Sequence, residues 1–222
     1  PDWIWIKDRN QGVSHVTYDS SRGATKRLFW DGNGAEATDT ETLTAFDTDG
    51  FTVGNSGNVN ENTTNYVSWN WLAGTAVSGD TTGSGTLKTY TGQVNTDSKF
   101  AIIKYVGNGS DNHTIPHHIG AAPDFVISTR LTGTDGWYVF HSRMTSDPSS
   151  DYIRIDSNSG TDDEDEIWTD AVPTSTVVNL GTNTGINAND VSYIMYAWAN
   201  GDSFMSGHYE GSGSASVASD HK

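Results

Sequence analysis

The chain of 222 residues contains no cysteine, so no disulfide can stabilise its fold. Basic side chains are also scarce: 12 Lys and Arg stand against 28 Asp and Glu, which gives a formal net charge of −16. A field of this sign repels phosphates, so the composition disfavours binding to DNA or RNA. No apolar run approaches the ~20 residues that a membrane-spanning helix needs, and we expect no membrane insertion.

Helical periodicity is nearly absent as well, since only residues 40–46 could form a helical turn. The 24 glycines, together with many Ser, Thr, Asn and Asp, favour turns. Eight Trp, nine Tyr and seven Phe supply bulk that suits strands. The segment Tyr66–Trp71 alternates in the manner of a strand. These features predict an all-β protein, an antiparallel β-sandwich of sheets packed face to face.

The chain repeats its own sequence. The Pro-Asp-aromatic-aliphatic start at Pro123 is also how the chain begins at Pro1. Four further segments recur in the same order: 15–18 as 137–141, 27–31 as 152–156, 51–53 as 175–179, and 66–71 as 193–198. We therefore predict tandem duplicated units, residues 1–97 and 98–222, with a Gly/Thr/Ser-rich linker hairpin at the end of the first.

A shorter repeat links the middle of the chain to its end. Residues 100–110 read FAIIKYVGNGS, and residues 204–214 read FMSGHYEGSGS. This match predicts that the strand and turn before the second unit have a counterpart near the end of the chain.

Comparing the two copies predicts which side chains face the core. Three aligned pairs are apolar in both copies and are predicted to be buried: Val67 with Ile194, Trp69 with Tyr196, and Trp71 with Trp198. Trp30 aligns with an isoleucine and is predicted to point inward. Phe29 aligns with Arg154 and is predicted to point outward, and Ile6 aligns with Ser128 and is predicted to be peripheral.

Two motifs carry a resemblance to a known family. Residues 105–109 read YVGNG and residues 118–124 read HIGAAPD. This strand-turn and loop resemble a repeat of tail-fibre-like and other virion-associated proteins of marine tailed bacteriophages, and the resemblance covers nearly the whole chain. It implies a concanavalin-like (lectin-type) jelly roll on the virion surface. We expect other virion subunits as partners, and we expect the protein to form a homo-oligomer.

The chain departs from that repeat in two places. The second copy carries an acidic insert at residues 162–166. The chain also starts in the middle of the motif, at Pro1. The first unit is therefore expected to lack a strand, to be completed by residues 204–209, or to belong to a longer polypeptide.

The sequence offers little that points to catalysis or to a metal. The acidic run at residues 161–170 could bind Ca²⁺ or supply glycosidase carboxylates, but contiguous acids favour a solvated loop. His113 and His117 have helical ligand spacing with His118 beside them, yet Pro116 disfavours that helix. No G-x-S-x-G, P-loop or dinucleotide motif occurs. We expect no catalytic residue, no metal and no cofactor.

Aromatic side chains near Asn and Asp are typical of lectin sites, where a ring stacks on the sugar and polar groups bind its hydroxyls. The candidate ligand-binding residues are Trp30, Asp31, Asn33, Asp135, Trp137, Asn158 and Trp168. Trp168 has polar neighbours and is predicted to be the most exposed of the tryptophans.

The function predicted from the sequence is that of a non-enzymatic phage virion protein, a tail-fibre or adhesin-like module or a capsid decoration. Its partner would be a cell-surface glycan or a neighbouring virion subunit. Two alternatives are a polysaccharide-degrading tail-spike enzyme and an extracellular lectin-like carbohydrate-binding protein. A cleft holding two carboxyl groups about 5–10 Å apart would favour the enzyme.

Overall fold

The computed structural model describes residues 1–213, and strands dominate this part of the chain. The first nine strands are β1 (Trp3–Asp8), β2 (Val16–Asp19), β3 (Lys26–Phe29), β4 (Ala37–Thr38), β5 (Leu43–Asp47), β6 (Gly50–Val53), β7 (Tyr66–Trp71), β8 (Thr75–Asp80) and β9 (Thr82–Gly83). The next are β10 (Thr89–Asn95), β11 (Phe100–Val106), β12 (His113–Pro116), β13 (Phe125–Arg130), β14 (Tyr138–His141), β15 (Asp151–Arg154), β16 (Asp162–Asp163), β17 (Val177–Leu180) and β18 (Ser192–Trp198). Two one-turn helices, α1 (Asp165–Trp168) and α2 (Thr184–Asn187), flank β17, and neither is long enough to cross a membrane.

These strands form four antiparallel groups. A five-stranded sheet has the order β4-β3-β2-β1-β7, and an eight-stranded sheet has the order β16-β15-β14-β13-β18-β11-β10-β8. A three-stranded sheet has the order β17-β12-β9, and β5 and β6 form a hairpin. The predicted all-β antiparallel sandwich is confirmed.

Three clusters of buried apolar side chains show how the sheets and the β5-β6 hairpin are layered. Trp3 of β1 packs with Ile102 of β11, so this cluster lies between the five- and eight-stranded sheets. The next residue of each strand faces the other way, because side chains alternate along a strand. Ile4 therefore packs with Leu43 of the β5-β6 hairpin, and Ile103 packs with Ile115 of β12. Each large sheet is thus covered on both faces.

The strand orders of the two large sheets correspond to each other. The run β4-β3-β2-β1-β7 of the first copy corresponds to β16-β15-β14-β13-β18 of the second. The register agrees too: Trp5 lies opposite Trp69, and at the same place in the second copy Ile127 lies opposite Tyr196. Trp69 and Tyr196 therefore occupy equivalent strands, as a duplicated sandwich requires.

The predicted unit boundary at residues 97 and 98 falls in the turn between β10 and β11. These two strands pair over six positions in the eight-stranded sheet. The Gly/Thr/Ser-rich segment interpreted as a linker contains β8 and β10, which extend the sheet of the second copy.

Each copy begins with the same hydrogen-bonded corner. The Asp2 carboxylate accepts a hydrogen bond from the Ser20 hydroxyl at 2.9 Å, and Asp124 accepts one from Ser142 at the same distance. The other carboxylate oxygen of each aspartate accepts backbone N–H groups just past the last strand of the copy. The Pro-Asp signature in the sequence is therefore a device that ties the first strand of a copy to its last.

A buried ion pair joins the two copies. The guanidinium of Arg22 donates to the Asp19 carboxylate, and the hydroxyl of Tyr196 donates to the same carboxylate at 2.6 Å. Burial has the largest single influence on the pKa of Arg22 and lowers it, but the negative charge of Asp19, the hydrogen bond to it and the charges nearby together outweigh burial, so the pKa is raised. The guanidinium therefore stays charged between the two sheets.

The predictions for individual core residues are confirmed in the second copy and partly wrong in the first. Ile194, Tyr196 and Trp198 are buried, as is Trp30. Trp69 was predicted to be buried but is 39% exposed. The cause is its strand: β18 lies between β13 and β11, whereas β7 lies at the edge of its sheet within the described residues.

Two other side chains in the first copy also depart from prediction. Ile6 was predicted to be peripheral and is buried, and Phe29 was predicted to point outward and is half-buried. Both pack into the cluster beneath the β5-β6 hairpin, which covers the second face of the five-stranded sheet.

Residues 204–209 do not pair with the first sheet among the residues that the structure describes. Phe204 forms an isolated bridge with Gly201 and packs on Trp198, with ring centroids 6.0 Å apart. Among the described residues, β7 is paired with β1 alone. Ser214, the last residue of the repeated segment, lies outside the described residues.

Candidate functional site

The tryptophans predicted to stack on a sugar are buried. Trp30 and Trp137 lie in the cluster between the two large sheets, and Trp168 is 1% exposed in the cluster above β12. Trp168 was predicted to be the most exposed tryptophan, and this is wrong because Trp168 is the last residue of α1. This single turn directs Ile167 and Trp168 inward, while its acidic residues stay in solvent. Polar neighbours in sequence therefore did not mean a polar environment.

Four of the seven candidate ligand-binding residues nevertheless come together. Trp30 of the first copy stacks on Trp137 of the second, with centroids 4.3 Å apart. The backbone N–H of Asp135 donates to the carbonyl of Asn33 at 2.9 Å. Asp31 is exposed beside this contact, and Asn158 is exposed in the loop after β15. Trp30, Asn33, Asp135 and Trp137 thus form a junction between the two copies. The two indole rings stack on each other instead of presenting a face to a sugar.

An apolar cavity lies next to this junction. It has a volume of about 280 Å³ and is partly open to solvent. Its walls come from five tryptophans, two phenylalanines, two isoleucines and one histidine, and almost none of its surface is polar. The tryptophans are Trp3, Trp5, Trp30, Trp71 and Trp198. We call this space the aromatic cavity.

The first copy supplies most of these tryptophans through simple alternation. Trp3 and Trp5 are two residues apart on β1 and so share a face of the five-stranded sheet. Their opposite neighbours on β7 are Trp71 and Trp69. The sequence signal was present in the WIWI and WNW patterns, but it was interpreted as core because nothing local shows that the facing sheets leave a gap.

The indole N–H groups of three tryptophans around the aromatic cavity are buried beneath its apolar surface. Within the described protein, the buried indole N–H groups of Trp3, Trp30 and Trp198 have no acceptor in hydrogen-bonding distance. The indole N–H of Trp5 donates to His15 Nδ1 at 2.7 Å, which leaves the proton of the neutral imidazole on Nε2. Burial lowers the pKa of His15, so the neutral form persists at neutral pH.

An acidic depression of about 370 Å³ lies beside α1. Asp111, Asp165, Glu166 and Asp170 line it. Loss of hydration and the nearby charge of Asp170 raise the pKa of Asp165, although the carboxyl group stays in solvent. Across residues 1–213, no group of three or more acidic or histidine side chains is arranged to hold a metal ion.

The three clustered histidines have structural partners. His113 donates from Nδ1 to the Asn187 side chain at 2.8 Å, and His117 donates from Nε2 to the carbonyl of Thr174 at 3.1 Å. His118 shares a 2.7 Å hydrogen bond with the Tyr90 hydroxyl. These contacts fasten β12 and the following loop to the rest of the second copy.

The edge of the five-stranded sheet is a further candidate surface. We call β7, with Leu72 after it, the β7 edge. Trp69 and Leu72 expose large apolar side chains there. An open edge presents unpaired backbone groups to which another strand can bind.

Comparison with known proteins gives one match. The model of a family described as "Domain of unknown function (DUF7483)" matches residues 1–218. No curated protein and no solved structure matches the chain.

Proposed function

The chain belongs to the DUF7483 family, and we propose that it is a non-enzymatic structural protein of a phage virion that binds neighbouring copies of itself. Support for the virion comes from the YVGNG and HIGAAPD motifs, which resemble repeats of virion-associated proteins. Support for self-association comes from the β7 edge. In this proposal the protein lies on the virion surface, as a tail-fibre-like or capsid-decorating module.

The observation that carries this proposal is a difference between equivalent strands. In the second copy, β18 is paired on one side with β13 and on the other with β11. In the first copy, β7 pairs with β1, and no described strand takes the place of β11. The internal symmetry of the chain therefore specifies which sequence fits the β7 edge: one that resembles β11.

Residues 204–214 have that sequence. They match residues 100–110 at Phe204, Tyr209 and three positions of the glycine-rich turn. Phe100 lies opposite Trp198, so the same register would place Phe204 of a neighbouring copy opposite Trp71. Strand addition of this kind supplies backbone hydrogen bonds for affinity and side-chain contacts for specificity.

The segment is suitably exposed for such an exchange. Met205 and Tyr209 project into solvent, Tyr209 with 68% of its surface exposed. Their counterparts on β11, Ala101 and Tyr105, are fully buried. Because the contact joins two different surfaces, it propagates from copy to copy and forms rings or filaments rather than closed pairs.

The experiment uses the absence of cysteine from the native chain. In the proposed register, Met205 of one copy lies opposite Asn70 of the next, because Ala101 lies opposite Ala197 in the second copy. Asn70→Cys and Met205→Cys proteins, mixed under mild oxidation, should form a disulfide-linked heterodimer. Leu87→Cys is the matched control for Met205→Cys, since Leu87 is also exposed and lies away from the edge.

Light scattering of the unmodified protein completes the test. We expect a mass that rises with concentration, and lower association in an Asn70→Lys variant, because an edge lysine opposes strand addition. A monomer at every concentration, or equal cross-linking of Asn70→Cys to both partners, would contradict self-association. Release of reducing sugar from a polysaccharide would instead favour the tail-spike enzyme, and binding on a glycan array would favour the lectin.

A further inference from the structure

We infer that Asn33 is a site of spontaneous deamidation, at which the chain converts its own asparagine into aspartate and isoaspartate with water as the co-reactant. This modification goes beyond the proposed function and does not depend on it. The sequence contains the same tripeptide in two environments, since Gly-Asn-Gly occurs at residues 32–34 and again at residues 107–109. The structure leaves the first of them free to react and fixes the second.

The reaction needs a side-chain amide that can turn and a backbone nitrogen that can approach it. The backbone nitrogen of Gly34 attacks Cγ of Asn33, the Cγ–Nδ2 bond breaks, and ammonia leaves with the proton of the Gly34 N–H group. Water then opens the succinimide ring at either of its carbonyl carbons. Opening at Cγ gives aspartate, and opening at the α-carbonyl carbon gives isoaspartate. Glycine in second place favours the attack, because it has no Cβ to obstruct it.

Both reacting groups are available at Asn33. Its side chain is exposed and makes no hydrogen bond to any residue that the structure describes. Its carbonyl accepts from the backbone N–H group of Asp135 at 2.9 Å. Because C=O and N–H point in opposite directions across a trans peptide, this bond directs the N–H group of Gly34 away from the second copy. The attacking nitrogen is therefore on the solvent side.

The same tripeptide at Asn108 is fixed by hydrogen bonds. Asn108 is 8% exposed, and its Nδ2 donates to the carbonyls of Ser84 and Thr86 at 2.9 and 3.0 Å. Its Oδ1 accepts a backbone N–H group as well. The nitrogen that would attack, that of Gly109, donates to the carbonyl of Asn187 at 2.7 Å. Since these bonds must break first, we expect conversion to be slower than at Asn33 by about a hundredfold or more.

The second copy supplies a further comparison. Asn158 lies at the position that corresponds to Asn33 in the repeat, and it is exposed too. The residue after it is a serine, whose Cβ obstructs the attack. The N–H group of Ser159 also donates to the hydroxyl of Ser157 at 3.1 Å. Asn158 should therefore react more slowly than Asn33 in spite of its exposure.

Asn200 also precedes a glycine, and residues near the end of the described chain protect it. Its Oδ1 accepts from the N–H group of Ser206 at 2.7 Å, and the N–H group of Gly201 donates to the carbonyl of Phe204 at 2.9 Å. Strand addition to a neighbouring copy would break both bonds. The rate at Asn200 in concentrated protein therefore tests self-association, whereas the ratio of rates at Asn33 and Asn108 tests the deamidation.

Conversion would place a charge at the junction between the copies. Either product adds a carboxylate close to Asp31 and Asp135, where the asparagine was neutral, and like charges repel. Isoaspartate also lengthens the main chain between two contacts with the second copy. One is made by the carbonyl of Asn33, and the other joins the Glu36 N–H group to the carbonyl of Leu131. We expect converted protein to unfold at a lower urea concentration than unconverted protein.

The experiment incubates the full chain in mildly alkaline buffer made with ¹⁸O-labelled water and follows its peptides by mass spectrometry. The peptide with Asn33 should lose ammonia, incorporate ¹⁸O and yield isoaspartate, while the peptide with Asn108 should change at least about a hundredfold more slowly. Hydroxylamine should trap the succinimide at residue 33. In concentrated urea the two asparagines should react at similar rates, because unfolding removes the hydrogen bonds and leaves the same tripeptide.

A matched pair of variants tests the attacking nitrogen. Gly34→Ala should slow conversion at Asn33 severalfold, because it adds a Cβ beside that nitrogen. The fold accommodates the change, since a Cβ at residue 34 would have no neighbour within 4 Å and the φ of Gly34 is not positive. Gly12→Ala adds the same atom at another exposed glycine with open space around it, and it should leave the rate at Asn33 unchanged.

Four results would overturn the inference. They are absence of ¹⁸O at Asn33, equal rates at Asn33 and Asn108 in the folded protein, equal rates at Asn33 in the Gly34→Ala and Gly12→Ala proteins, and a difference between Asn33 and Asn108 that persists in urea. The last would show that the surrounding sequence, and not the fold, sets the rates.

Discussion

The two copies of the repeat share strand order and register but differ in how far they are enclosed. In the second copy, β18 is flanked on both sides, and its residues from Tyr193 to Trp198 are all buried. In the first copy, the equivalent strand β7 lies at the edge of its sheet, and none of its residues is fully buried. The comparison teaches that the same alternating pattern specifies a strand and its register, while neighbouring strands decide how deeply it is buried.

The largest expected difference between the copies concerns their equivalent tryptophans. Trp198 is buried against Phe100, with ring centroids 4.8 Å apart, whereas Trp71 is half-buried. We expect Trp198→Ala to lower the free energy of unfolding by ~3–5 kcal/mol and Trp71→Ala by only ~1–2 kcal/mol, in proportion to its smaller buried area. Urea denaturation measures both. Equal losses would show that β7 is enclosed in solution.

Replacing a corner aspartate should lower the free energy of unfolding by less than Trp198→Ala does, and by the same amount in each copy. Asp2 and Asp124 make equivalent hydrogen bonds at the start of the two copies. Replacing either with Ala leaves backbone donors without their acceptor, at a cost of about 1–3 kcal/mol. Asp31→Ala is the control, because this exposed carboxylate should matter by less than about 0.5 kcal/mol. A loss confined to one copy would mean that the two corners are not equivalent in energy.

The smallest expected effect is a difference in acid sensitivity. Burial lowers the pKa of three histidines in or beside the second copy, which are His113, His117 and His141. In the first copy, burial lowers the pKa of one histidine, His15. The unfolded chain then binds protons more readily than the folded one, so stability is complete above the unfolded pKa of about 6.5 and falls as the pH drops below it.

Hydrogen exchange at pH 7.5 and pH 5.5 measures this difference, since carboxyl groups of ordinary pKa do not titrate in that interval. Amides of β13 and β18 should lose more protection at pH 5.5 than those of β1. His117→Asn removes one of the titrating groups and should reduce the change. Equal losses in both copies would contradict the proposed role of the histidines.

Features that depend on local residue patterns were predicted correctly from the sequence, whereas features that depend on contacts between distant segments were not. Strand equivalence was predictable because the Pro-Asp corner and the alternation of apolar residues are local and occur twice. The burial of Trp168 was not, because it depends on a cluster whose other members come from β12, β17 and β18. The exposure of Trp69 was also not predicted, because a strand lies at an edge only when no other strand pairs with its outer side, and its own sequence does not show this.

The sequence by itself determined the all-β class and the alignment of corresponding segments in the two copies, because each depends on residue types and their spacing along the chain. Only the tertiary structure decided which sheet faces were brought together. That choice buried Trp30 against Trp137, left the aromatic cavity between the sheets, and made β7 an edge. The reason is physical: alternation gives each side chain a face, but burial and hydrogen-bond partners depend on what packs against that face.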